Sequence, residues 1–159
     1  MANIAISKTV ITNGVYSSTD VVRELRIRST DIVGAGTFAE DDTASFSIPI
    51  LAGESVVAAS AQLVTAFAGS GNQLNMVVGD GADADGYLAT AAIHVDQTEI
   101  FTVFGTGDLV DGTTSNFKHY AAADTVDIVL DGTAGSAIDL NNLTAGEVVV
   151  TVWLKSANR

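Results

Sequence analysis

Apolar residues fall at every second position through much of this chain. In the stretch Thr43–Ile50, Ala44, Phe46, Ile48 and Ile50 lie on one side, and Thr43, Ser45, Ser47 and Pro49 on the other. A period of two marks a strand with one buried face. Val126, Ile128 and Leu130 alternate in the same way with Asp127 and Asp131. Near the C-terminus, Val148, Val150, Val152 and Leu154 oppose Glu147, Val149, Thr151, Trp153 and Lys155. That second set is partly apolar as well, so both faces of this strand are expected to be covered.

The same reading predicts strands over residues 4–11, 21–28, 56–67, 73–78, 87–95, 99–104 and 117–121. The segment VVAASAQLVTAF is rich enough in Ala to suit a helix. Its alternation favours a strand with Val57, Ala59, Ala61, Leu63 and Phe67 on one side. A short helical turn is expected at Leu88–Ala92. Turn chemistry separates the runs: Asn13-Gly14, then residues 34–36, 69–72, 79–86, 105–112, 131–135 and 141–146, all rich in Gly, Asp or Asn. About ten short strands with this punctuation predict an all-β, antiparallel β-sandwich or barrel. A single domain over residues 1–159 is expected, with residues 1–28 as an N-terminal arm or edge strands.

Composition narrows the function. The 159 residues are 47% apolar and 16% charged, with 15 glycines and no cysteine. A chain of this size folds without disulfide or metal staples. Lack of cysteine excludes thiolate metal sites and a Cys nucleophile. The start, MANIAISKTVITNG, has no basic segment leading into an apolar core, so no signal peptide is expected. No apolar run is long enough to span a membrane as a helix, and no membrane partner is expected. The net charge of −12 opposes binding to nucleic acid.

The charge is unevenly spread. Residues 1–28 carry four bases (Lys8, Arg23, Arg26, Arg28) against two acids, Asp20 and Glu24. The rest of the chain holds three bases against seventeen acids. Arg23, Arg26 and Arg28 are therefore the candidate interface residues toward an acidic partner surface or a neighbouring subunit. On a strand, Glu24, Arg26 and Arg28 share a face opposite Leu25 and Ile27. Arginine suits interfaces through its two-pronged contacts to carboxylates. Charge that protects an edge strand fits the same pattern.

No catalytic set assembles in the sequence, and no enzymatic activity is expected. His94 and His119 are the only histidines, and His94 shares its side of the alternation with Asp96. Ser70 lies in GSG, short of a nucleophile elbow. The loop GDGADADG at residues 79–86 has spaced aspartates that could wrap a hard cation. In an EF-hand register, however, Gly81 and Ala92 would occupy positions that need oxygen ligands. Neither a metal nor another cofactor is expected. Trp153 and Tyr87 are the aromatic candidates for a glycan platform.

Three blocks carry a resemblance: VVGDGADADGYLAT, HYAAADTVDIVLDGT and LTAGEVVVTVWL. Across residues 56–154 the order of strand, GDGADADG-like turn, YAAADTVDI strand and final LTAGxVxVxV strand resembles small structural proteins of tailed-phage virions, of the capsid decoration (cement) or head-fibre type. The resemblance implies a β-sandwich of jelly-roll type, assembled as a homo-oligomer (dimer or trimer) on the capsid exterior after synthesis in the host cytoplasm. It implies the major capsid protein as partner and offers no catalytic residues. An alternative is a β-sandwich module that binds a glycan or Ca²⁺, as in a fibre or tail-associated adhesion domain.

Overall fold

The fold is taken from a computed structural model that describes residues 3–5, 11–17, 20–39, 42–71, 73–94, 102–104, 117–131 and 139–156. Eleven strands are present among these residues: β1 (Asn3–Ala5), β2 (Ile11–Ser17), β3 (Asp20–Arg28), β4 (Thr43–Ile50), β5 (Glu54–Ala68), β6 (Asn75–Gly79), β7 (Leu88–Ala92), β8 (Thr102–Phe104), β9 (Lys118–Tyr120), β10 (Asp124–Asp131) and β11 (Ala145–Ser156). One sheet has the order β1-β4-β10-β6-β7; the other has β2-β3-β11-β5-β8, with β9 also paired to β5. Without β1, β2 and β9, eight strands remain. Numbered in chain order, they form two four-strand sheets, 1-8-3-6 and 2-7-4-5. Every pairing within these two sheets is antiparallel. This is the jelly-roll connection, the all-β sandwich that the alternation and the resemblance predict.

The core lies between the two sheets. Ala44, Phe46, Ile48 and Ile50 of β4 and Val126, Ile128 and Leu130 of β10 are all at most 1% exposed. They face Val148, Val150, Val152 and Leu154 of β11, which are equally buried. Val149, on the outer face of β11, is also buried, in keeping with the apolar character of that face.

Several local expectations are corrected. Leu88–Ala92 is not a helical turn but strand β7, paired antiparallel with β6 through Asn75↔Ala92 and Val78↔Leu88. Backbone pairing along β6 outweighs the helix preference of its three alanines. Helix occurs instead at α1 (Ser29–Val33), where the Asp31 carboxylate accepts the Arg28 N–H at 2.7 Å and Ile32 is fully buried. A 3₁₀ turn spans Leu140–Asn142. Asn13-Gly14 does not close a turn, because β2 runs through it and the ladder with β3 shifts register between Thr12 and Val15. Of the strand expected over residues 4–11, the start belongs to β1, paired with β4 in one sheet, and Ile11 opens β2, paired with β3 in the other; residues 6–10 lie outside the described residues. In β5, Val56 and not Val57 joins the core, since a register shift at Trp153/Leu154 skips one residue. Two further shifts between Leu63 and Ala68 cancel in parity, so Phe67 returns to the core side as predicted. Residues 95–101, 105–112 and 132–135 lie outside the described residues.

Candidate functional site

The alternation of β3 decides the fate of its three arginines. Val21, Leu25 and Ile27 point into the core, and Arg23 shares their side. Its guanidinium meets Glu54 with two bonds, Nη1 to Oε2 at 2.5 Å and Nη2 to Oε1 at 2.8 Å. Nη1 also donates to the Pro49 carbonyl at 2.7 Å. Glu54 in turn accepts the Leu51 N–H at 2.8 Å. The expectation that Arg23 faces a partner is therefore corrected: its side chain is 8% exposed, and its charge is spent inside the chain. The alternation already held that signal, since Arg23 stands in phase with Leu25.

Arg26 and Arg28 do reach the outer face. Both close on Glu147 of β11, Arg26 through Nη1 and Arg28 through Nε at 2.9 Å. The Arg28 hydrogen bond, with the charge of Arg26, holds the Glu147 carboxyl below the ordinary carboxylate value, and the same bond raises Arg28. The ladder explains the meeting, because Glu147 pairs directly with Arg28 and Val149 with Arg26.

A second cluster was not foreseen as a unit. It lies at the opposite end of the sandwich, where β11 finishes and the 79–86 loop begins. Asp80, the first aspartate of that loop, is buried. Its Oδ1 accepts the N–H groups of Ala82 and Asp83 at 2.9 and 3.1 Å, shaping the turn. Its Oδ2 receives the Lys118 ammonium and, at 2.7 Å, the Tyr120 hydroxyl. The Tyr120 hydroxyl also meets that of Tyr87. Burial alone would raise Asp80, but Lys118, Tyr120 and the two backbone donors outweigh it, and its pKa lies below the ordinary value. Burial is also the first cause that raises both tyrosines. Tyr87 is fully buried, so it offers no face to a glycan. Lys118 as the one lysine near a Gly-rich turn was the available sequence signal. Its pairing with Asp80 depends on β9 lying against β5, which no local pattern states.

The histidines do not come together. His94 bridges to Phe67 at one end of β5, and His119 pairs with Ser55 at the other. Twelve strand residues separate these positions, roughly 40 Å. His119 Nδ1 lies 3.1 Å from Ser55 Oγ on an exposed surface. Asp96 lies outside the described residues. Among the described residues, no group of three His, Asp or Glu side chains is placed to hold a metal ion, and no helix is long and apolar enough to cross a membrane.

These features define a class: an all-β jelly roll whose conspicuous charged side chains are paired within the chain. No family model matches the sequence, and no curated protein matches it. Solved structures do share the fold. A chain of the cyanophage Pam1 capsid asymmetric unit aligns with a TM-score of 0.57 at 14% identity, covering 94% of each chain. A chain of the acidic stable capsid structure of Helicobacter pylori bacteriophage KHP30 gives 0.52 at 13%, covering 91% of this chain and 93% of its own. A chain of the capsid of Ralstonia phage GP4 gives 0.50 at 12%, covering 99% of both. At these identities the likeness is one of fold.

Proposed function

We propose that this chain is a structural protein of a phage virion, a decoration or cement protein on the outer surface of the capsid. The observation that carries the reading is the length of the fold match: nearly the whole chain, end to end, follows chains found in three phage capsid structures. The resemblance of residues 56–154 to virion structural proteins supports it from the sequence side. So does the charge, since −12 is unsuited to packaging or reading nucleic acid.

The mechanism is mass action. A protein that binds the assembled shell and not its free subunits stabilises the shell in proportion to its occupancy. The role is architectural and not catalytic, with the major capsid protein as partner and a dimer or trimer as the bound form. The test is electron cryomicroscopy of particles produced with and without this chain, together with their thermal disruption. The expected result is regular density on the shell exterior only when the chain is present, and disruption at higher temperature. Particles identical in both respects would sink the reading.

A further inference from the structure

The end of the sandwich built on Asp80 carries three loops: residues 51–53, 80–86 and 121–124. They form one surface. The Gly53 N–H donates to the Tyr120 carbonyl at 2.7 Å, and Asp80 ties the second loop to Tyr120. Asp124 pairs with Ile50 across the β10–β4 ladder. Leu51 is 51% exposed, the largest apolar side chain on these loops. Ala52, Ala82, Ala84, Ala121, Ala122 and Ala123 of the same three loops are exposed as well. An apolar surface of this kind is held still from beneath by buried polar groups. Glu54 fixes the Leu51 backbone, and Asp80 fixes the second loop and Tyr120. A preordered surface loses less entropy on binding.

The charge on these loops says what fits. Besides buried Asp80, they carry Asp83, Asp85 and Asp124, and no basic residue. A second copy seated here about a two-fold axis would set these carboxylates against their own equivalents. We propose that this end is a docking surface for a different protein, one that presents an apolar centre with basic residues around it. Resting on the capsid reading, the partner surface is on the shell, and the loops at residues 51–53, 80–86 and 121–124 are the shell-facing end. Arg26 and Arg28, each closed on Glu147, lie at the far end of β3 and β11 and are not part of it.

The experiment is co-sedimentation of the purified chain with shells of the phage that carries it, assembled without this chain. Leu51→Asp with Ala122→Asp is expected to weaken binding by about tenfold or more, as expected for a hot spot. Asp83→Lys, Asp85→Lys and Asp124→Lys together are expected to do the same, and wild-type binding is expected to weaken as salt rises through about 0.3 M. Arg26→Gln with Arg28→Gln is expected to bind as wild type. All these side chains are at the surface, and unchanged circular dichroism and melting establish that each variant is folded. Full binding by both loop variants, or loss only in the arginine variant, overturns the inference while leaving the capsid reading standing. Failure of the wild-type chain to bind shells removes both. If sedimentation velocity shows an oligomer that Leu51→Asp dissociates, the occupant is a second copy and the proposal fails.

Discussion

Arg23 and Glu54 form a two-pronged ion pair on the core side of the sandwich, linking β3 to the start of β5, with side chains only 8% and 2% exposed. Removing one partner of such a pair leaves a charge buried without compensation, at a cost of about 3–5 kcal/mol. Arg23→Met or Glu54→Gln alone is expected to destabilise by that order in denaturant unfolding. The double variant Arg23→Met with Glu54→Leu is expected to recover part of the loss, since no charge is left behind. Recovery stays partial because the Pro49 carbonyl and the Leu51 N–H lose their partners too. Additive losses in the double variant would show that the two side chains do not act as a pair.

Asp80 sets the acid side of stability. Its folded pKa lies below the ordinary 3.8. Its contribution is therefore fully present above about pH 4 and is lost as pH falls through the folded value. Asp80→Asn, which strands the Lys118 ammonium, is expected to cost about 3 kcal/mol at neutral pH. The variant is also expected to show a flatter decline below about pH 4 than the wild type. Parallel acid melting curves for the two proteins would rule this role out.

The alkaline side rests on Tyr87 and Tyr120, whose hydroxyls are held neutral above their ordinary value of 10.0. Below about pH 10 both folded and unfolded chains keep these protons, and stability is unaffected. Above it the unfolded chain releases them first, so stability falls as pH rises toward the folded values. Tyr87→Phe with Tyr120→Phe is expected to cost about 1–3 kcal/mol at neutral pH through the lost bond to Asp80. It is also expected to remove most of the decline above about pH 10. Thermal melts across that range, with tyrosinate absorbance as a second reading, decide the matter.

How far the sequence speaks for the fold can be judged from single strands. β4, β10 and β11 were legible because each has one face in the core, and burial alternates along β10, over Phe46–Ile50 of β4 and over Val150–Ser156 of β11. β7 was legible only in part: it lies within the strand expected over residues 87–95, but LATAA has no strong alternation and also read as a helical turn until its pairing with β6 decided for the strand. Bulges hid the phase of Val56, since one skipped residue exchanges the faces of everything beyond it. Of the candidate interface residues, Arg26 and Arg28 share one face as the alternation predicts, whereas Arg23 is buried against Glu54, a position its phase with Leu25 already indicated. The Asp80, Lys118, Tyr120 and Tyr87 cluster joins residues up to 40 positions apart. Such meetings depend on strand order, which periodicity does not encode.

Two glycines give the sharpest test of the backbone. Gly146 has φ of +135°, a region that side-chain-bearing residues rarely adopt, and a Cβ there would lie 2.2 Å from Cδ1 of the fully buried Phe67. Gly79 ends β6, where a Cβ would lie 2.0 Å from the Asp83 carbonyl oxygen and 2.3 Å from the Ala84 carbonyl carbon. The two clashes differ in kind. Phe67 is a side chain packed in the core, so relief at Gly146 has to move the core. At Gly79 the obstacle is backbone of the loop that Asp80 shapes, so relief has to move the loop. Each Gly→Ala change is expected to cost about 2–4 kcal/mol, from strain and overpacking together. The readouts should separate. Gly79→Ala should speed amide exchange at Ala82 and Asp83, whose N–H groups Asp80 holds. Gly146→Ala should speed exchange along the β11–β5 ladder and leave those two amides protected. Wild-type exchange at Ala82 and Asp83 in Gly79→Ala would mean that the close approach of loop to strand does not fix this end of the molecule.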